Sequence, residues 1–142
     1  EVLFDRTSYG SREGGNEYTG TSSGLWAITA GVYLSLMGPK GMQETGQTIM
    51  QMAQYAAKRM SEIKGVELRL TSPFFKEFLV NFDGTGKTVA NINESLLDKK
   101  IFGGKDLSQE LPSLGESALY CVTETKTQEE IDTLISALKE VI

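Results

Sequence analysis

Two glycine-rich segments contain residue types and spacings that could support chemistry. Residues 20–24 (GTSSG) place three hydroxyl side chains, Thr21, Ser22 and Ser23, at the predicted start of a helix. Hydroxyls and backbone N–H groups at a helix N-terminus can bind an anion, but an ordinary helix cap uses the same residue types. The local sequence favours the cap, and the alternative is that this run faces an anionic group of a ligand or partner.

The second segment, residues 82–88 (FDGTGKT), follows a predicted strand and precedes a predicted helix, as a phosphate-binding loop does. The full motif begins with a glycine that precedes the Gly-Lys pair at a fixed spacing. Asn81 stands at the position of that first glycine, inside the strand. The backbone nest for a phosphate is therefore incomplete, and we predict a glycine-rich turn.

The side chains that usually act as bases and nucleophiles are sparse in this chain. Histidine is absent, and the one cysteine, Cys121, lies in the apolar run 119–122. No imidazole can deprotonate that thiol, so we predict that Cys121 fills the core rather than acting as a nucleophile. We expect no catalytic residue in this chain.

A set of acidic residues near the C-terminus has the oxygen ligands that a divalent metal prefers. Two of its members fall in the first turn of a predicted helix, where the helix dipole favours acidic side chains. We therefore interpret the set as helix-stabilising and expect no metal site. The four residues are Glu116, Glu124, Glu129 and Glu130.

The composition is that of one folded domain with a modest negative charge. The chain has 142 residues, 39% of them hydrophobic, and a formal net charge of −5. Basic residues are dispersed, which disfavours binding to nucleic acid, and no apolar run reaches the ~20 residues of a membrane span. A single cysteine cannot form an internal disulfide, so we predict a reducing, cytoplasmic setting.

Helical periodicity dominates the first half of the chain. We interpret residues 1–21 as a loop or linker from a missing large domain, because the chain begins at Glu1 without Met and shows no apolar period there. Two helices follow over residues 22–64, separated where Gly38 and Pro39 favour a stop. The first carries an apolar stripe of Leu25, Ile28, Val32 and Leu36. The second carries an apolar face, made of Met42, Ile49, Met52, Ala53, Ala56, Met60 and Ile63.

Alternating apolar residues after Gly65 predict a sheet-and-helix layer over residues 66–142. A hairpin through Thr71, Ser72 and Pro73 joins the first two strands, and a capping box of Thr127 and Glu130 begins the last helix. The order is ααββαββα, an α+β, two-layer domain with a mainly antiparallel sheet, and residues 22–142 form one small domain. The predicted segments are strands at 66–70 and 75–82, a helix at 88–100, an extended pair at 101–102, a strand at 119–123 and a helix at 127–142. The apolar spacing of the helix at 88–100 predicts that Val89, Ile92 and Leu96 face inward.

Four segments together, in their order and spacing, resemble the C-terminal region of the glycine-decarboxylating P-protein of the glycine cleavage system. They are similar to subunit 1 of its two-subunit bacterial form, over about residues 12–142. Each segment is weak alone, and the set is specific. The segments are residues 30–42 (AGVYLSLMGPKGM), 73–78 (PFFKEF), 101–107 (IFGGKDL) and 119–134 (LYCVTETKTQEEIDTL).

This resemblance implies the small C-terminal domain of the type I, aspartate-aminotransferase-like fold of pyridoxal-phosphate (PLP) enzymes. It implies an oxidoreductase that decarboxylates glycine and passes the aminomethyl group to the lipoyl H-protein. PLP and its lysine belong to subunit 2, the partner in a heterotetramer, and subunit 1 binds no cofactor. The family usually has threonine-asparagine-glutamine before the first helix, whereas this chain has Thr21, Ser22 and Ser23. Only Thr21 matches that pattern, so the resemblance implies a position near the active site for Thr21 alone.

Two alternatives remain open at this point. The chain could be the small domain of another type I PLP enzyme, such as an aminotransferase. It could also be a non-catalytic interaction domain, because the order ββαββα after Gly65 suits ferredoxin-like modules. The two long helices before Gly65 argue against the second alternative, since such a module lacks them.

Overall fold

The computed structural model describes residues 23–69 and 72–142. The chain divides into two units, a first that ends at Met42 and a second over Gln43–Ile142. Ser22 and the whole of the predicted linker, including Thr21, lie outside the described residues, and so does Thr71 of the predicted hairpin. In the part of the chain that the structure describes, no helix has the length and hydropathy of a membrane span.

The first helical element, α1 (Gly24–Ser61), is interrupted once. Gly38 has non-helical torsion angles, with φ at 59° and ψ at −178°, and Pro39 follows it. A positive φ suits glycine, and proline can begin a new helical segment because its missing N–H is not needed there. The predicted break is therefore confirmed, and helix resumes directly after it.

The part of α1 within the second unit buries one face. Most of the predicted apolar face is confirmed, because Ile49, Ala53, Ala56, Met60 and Ile63 are 9% exposed or less, and Met52 is half-buried. Met42, also predicted on this face, lies in the first unit and is 40% exposed. The buried residues of α1 are Ile49, Ala53, Ala56, Ala57 and Met60.

A four-stranded antiparallel sheet forms the second layer of this unit. Its strands are β1 (Glu67–Leu68), β2 (Glu77–Asn81), β3 (Lys105–Asp106) and β4 (Ser117–Cys121), in the order β1-β2-β4-β3. The central pair runs in register from Glu77 opposite Cys121 to Asn81 opposite Ser117. The predicted antiparallel pairing of the first two strands is confirmed.

Two helices, α2 (Val89–Asp98) and α3 (Gln128–Val141), complete the core. The predicted capping box of α3 is confirmed: Thr127 Oγ1 accepts from Glu130 N at 3.2 Å, and Glu130 Oε2 accepts from Thr127 N at 2.9 Å. The apolar side chains of both helices join those of β2 and β4 in one cluster. Its fully buried members include Val80, Phe82, Ile92, Leu96, Ile135 and Leu138.

Two sequence-based predictions are wrong. The third strand is Lys105–Asp106 rather than residues 101–102, and Phe102 is 88% exposed. Cys121 is exposed rather than part of the core. Side chains alternate along a strand, and because Tyr120 and Val122 point into the core, Cys121 between them points away.

Candidate functional site

The hydroxyl run before α1 remains a prediction. Thr21 and Ser22 lie outside the described residues, and Ser23 is exposed directly before the first residue of α1. The geometry of an anion site there is consequently not defined by the described residues.

The FDGTGKT segment forms a tight polar turn between β2 and α2. Asp83–Thr85 is a single 3₁₀ turn, and Gly86 ends it with φ at 70°. Asn81 is 3% exposed, and its Nδ2 donates to Asp83 Oδ2 at 2.9 Å, Leu114 O at 3.0 Å and Ser117 Oγ at 3.1 Å. The predicted glycine-rich turn is confirmed, with the Asn81 amide at its centre.

The N-terminus of α2 is capped by side chains of the protein itself. Thr88 Oγ1 accepts from Asn91 N at 3.2 Å, and Glu116 Oε2 accepts from Val89 N at 2.8 Å. The Glu116 carboxylate therefore takes the place where a phosphate would meet the first N–H groups of a helix. This arrangement stabilises the helix and repels a further anion.

Asp83 is held in its charged form by the same cluster. The backbone N–H of Glu116, which donates to Asp83 Oδ1 at 2.9 Å, is the main cause that lowers the pKa of Asp83 from its ordinary value of 3.8. The Asn81 amide lowers this pKa further, burial opposes the shift in part, and the charge of Arg69 adds the smallest lowering effect. Each donor favours the charged carboxylate over the neutral acid.

We expect acid to weaken the fold through this carboxylate. A group whose pKa is lowered by folding stabilises the protein above its ordinary pKa, and that contribution is lost as the pH falls below 3.8. In the Asp83→Asn variant, the urea midpoint of unfolding should therefore decrease less steeply as the pH falls below 3.8. The reduction in steepness should be partial, because hydrogen bonding by Thr127 also lowers the pKa of Glu130. A variant curve parallel to the wild-type curve would contradict this role of Asp83.

A groove of about 600 Å³ lies beside β4. We call it the edge groove, and it is lined by residues 100–104, residues 119–122, and Lys126, Glu130, Ile131, Thr133 and Leu134. Gly104 is buried in it against Tyr120, and a Cβ atom at Gly104 would lie 2.6 Å from Cε2 of that ring. No local pattern of residues predicts this groove, because three distant segments form it.

The Tyr120 hydroxyl is an unusual group within this groove. The side chain is 6% exposed, and its oxygen has no hydrogen-bond partner among the described residues. Burial raises the pKa of Tyr120 to about 12, and the nearby backbone N–H of Gly104 opposes this only in part. The hydroxyl therefore keeps its proton at neutral pH, and its oxygen is buried rather than open to the groove.

The described residues do not fit a metal ion or PLP. They contain no group of three His, Cys, Asp or Glu side chains that could hold a metal. All their lysines are exposed or half-buried, whereas a lysine that binds a cofactor is usually desolvated. The N-termini of α2 and α3 already bind the carboxylates of Glu116 and Glu130.

Comparison with known proteins identifies relatives for nearly the whole chain. The family model for the glycine cleavage system P-protein matches residues 3–138. The probable glycine dehydrogenase (decarboxylating) subunit 1 of Pyrococcus furiosus is 42% identical over 122 residues, which cover 86% of this chain and 26% of that protein. The chain thus spans about a quarter of the length of this relative.

Two solved structures share the fold. A crystal structure of glycine decarboxylase (P-protein) of the glycine cleavage system, in inhibitor-bound form, matches 92% of this chain and 29% of its own, with a TM-score of 0.77 and 27% identity. The mutant of C-DES with glycine covalently linked to its PLP cofactor matches 69% of this chain and 24% of its own, with a TM-score of 0.58 and 18% identity. The second likeness concerns the fold alone, and together the two confirm the predicted fold class.

Proposed function

Because the chain belongs to the glycine cleavage system P-protein family, we propose that it is the small domain of subunit 1 of glycine dehydrogenase (decarboxylating). The observation that carries this proposal is the match of the family model to residues 3–138, together with a structural likeness over 92% of the chain. In this role the chain supports the shape of an enzyme whose reacting groups lie on other residues. The whole enzyme is an oxidoreductase that decarboxylates glycine.

PLP supplies the electrophilic chemistry of such an enzyme when it is bound, and we place it in the partner subunit 2. The lysines and helix N-termini of the described residues support this placement, since they are solvated or already paired within the chain. Subunit 2 and the lipoyl H-protein are the proposed partners, in a heterotetramer of the two subunits. The single Cys121 supports a cytoplasmic, reducing location.

The apolar stripe in the first unit supports contact with further protein. Leu25, Ile28, Val32 and Leu36 are between 53% and 81% exposed. Contiguous exposed apolar residues usually mark a protein interface. In this proposal, the stripe packs against the remaining three quarters of the P-protein, the part that the chain does not span.

Glycine-dependent exchange of labelled carbon dioxide tests the proposal. We expect the full-length protein that carries this chain to exchange no label with the lipoyl H-protein alone, and to do so once the PLP-bearing subunit is added. Exchange without that subunit would contradict the placement of PLP. No exchange in the mixture would favour another type I PLP enzyme or an interaction domain.

Matched leucine variants extend the test to the stripe. Leu36→Asp places a charge on the stripe, where Leu36 is 81% exposed, and should reduce exchange by the mixture. Leu97→Asp changes a leucine of α2 that is 54% exposed and should leave exchange unchanged. Far-ultraviolet circular dichroism of both variants would verify that they fold. Equal exchange by the two variants would argue against the stripe as an interface.

A further inference from the structure

The sheet has one unpaired backbone position at the edge groove. Val122 N donates to Lys76 O at 2.9 Å, toward the β2 side of β4. Backbone groups alternate in direction along a strand, so the N–H and C=O of Cys121 point to the opposite edge. On that edge β3 pairs only with Leu119 and Ala118, and no described residue hydrogen-bonds to the Cys121 backbone. An extended segment could therefore pair with β4 at this residue.

A lysine in an uncommon backbone conformation lies in the same groove. Lys100 follows α2 with φ at 61°, the left-handed region where helix ends usually carry glycine. Lys100 N donates to Leu97 O at 2.8 Å and Ile101 N donates to Leu96 O at 3.0 Å, which is the hydrogen-bond pattern of a Schellman motif. A non-glycine residue at such a position points to a role for its side chain.

The charge of Lys100 is available to an occupant of the groove. Lys100 forms no ion pair with any described residue, whereas Lys126, the other cation there, lies 3.7 Å from Glu130. The groove thus carries a net positive charge on a chain whose total charge is −5. This charge favours an anionic occupant.

Several apolar side chains also line the groove. Phe102 is 88% exposed at the groove, and Ile101, Ile131 and Leu134 line it as well. An occupant therefore needs apolar side chains, a carboxylate and backbone acceptors together, and an extended acidic peptide has all three.

We infer that the edge groove binds an extended segment of a partner protein, which pairs with the backbone of Cys121 and places an acidic side chain beside Lys100. An apolar side chain of the segment packs against Phe102. This inference concerns a protein contact and is independent of the glycine reaction.

The probe for this site is a short blocked peptide of alternating valine and glutamate, titrated into the full chain labelled with ¹⁵N. We expect saturable shifts of the Phe102, Gly103 and Cys121 amide signals, and slower hydrogen exchange at Cys121. Because Cys121 is the only cysteine and is exposed, binding should also slow its alkylation by iodoacetamide. No saturable shift, or binding without protection of the Cys121 amide, would overturn the inference.

Two neighbouring lysines provide the matched variants. Lys100→Gln should weaken binding by about threefold to fivefold, as expected for a partly solvated ion pair. Lys99→Gln should not, because Lys99 contacts Glu140 and lies outside the groove. Lys100→Gly should weaken peptide binding because it removes the charge. It should also raise the thermal midpoint of unfolding, since glycine suits the left-handed conformation. The opposite directions of the two effects separate binding from stability.

A fatty-acid anion distinguishes peptide from acyl recognition. Octanoate offers a carboxylate and an apolar chain but no backbone amides. Saturable binding of octanoate at these residues with no peptide binding would overturn the inference in favour of an acyl site. Equal loss of peptide binding in the Lys99 and Lys100 variants would also contradict the assigned role of Lys100.

Discussion

Gly65→Ala should lower the free energy of unfolding by about 3 kcal/mol, the largest effect that we expect from a single added methyl group. Gly65 has φ at 83°, and a Cβ atom there would lie 2.6 Å from the carbonyl oxygen of Gly84. Left-handed torsions are costly for alanine, and the neighbour is a backbone atom that cannot rotate away. Urea unfolding of the purified chain, monitored by circular dichroism, would measure the change.

Two further glycine variants control this prediction. Gly46→Ala lies within α1 with no atom near its added Cβ, and it should stabilise the fold by about 0.5 to 1 kcal/mol. Gly84→Ala tests the same contact from the opposite residue, because a Cβ atom at Gly84 would lie 2.9 Å from the Cα atom of Gly65. Its cost should not add fully to that of Gly65→Ala, because the two share one contact. Equal stability of the Gly65 and Gly46 variants would contradict this account.

Asn81→Ala should be the most costly change within the polar turn, at about 2 to 3 kcal/mol, since it leaves buried groups without partners. The Asn81 amide donates to Asp83, Leu114 and Ser117, and its Oδ1 accepts from Asp83 N at 3.1 Å. The urea midpoint should fall with little change in the slope of the transition. Asn91→Ala, at an exposed position of α2, is the matched control and should have little effect. An equal decrease of the urea midpoint in the Asn81 and Asn91 variants would show that the hydrogen bonds of Asn81 contribute little to stability.

The helical parts of the fold could be predicted from local sequence because their signals are local. The capping box of Thr127 and Glu130, the break at Gly38 and the apolar spacing of α2 each depend on residues a turn apart. The third strand could not be predicted. Lys105 and Asp106 carry the charges typical of a protected edge strand, whereas the more strand-like Ile101 and Phe102 follow the end of α2.

The exposed features of the site depend on contacts that a single segment does not reveal. An apolar run suggested that Cys121 is buried, but the burial of its side chain depends on which face of the sheet it points to. The edge groove combines the end of α2, the edge of β4 and the start of α3. In contrast, the polar turn could be predicted from local sequence. Asn81 stands where a phosphate-binding loop requires its first glycine, and its side chain instead hydrogen-bonds across the turn.

The pairing of β2 with β4 bears on how quickly this chain folds. Asn81 and Ser117, which face each other at one end of the pair, are 36 residues apart in sequence. The intervening chain contains α2 and β3, so the central strands cannot form as a local hairpin. Contacts between distant residues slow folding because the loop must close before they stabilise anything. The rate-limiting step should therefore be the meeting of these two strands, and formation of the helices should precede it.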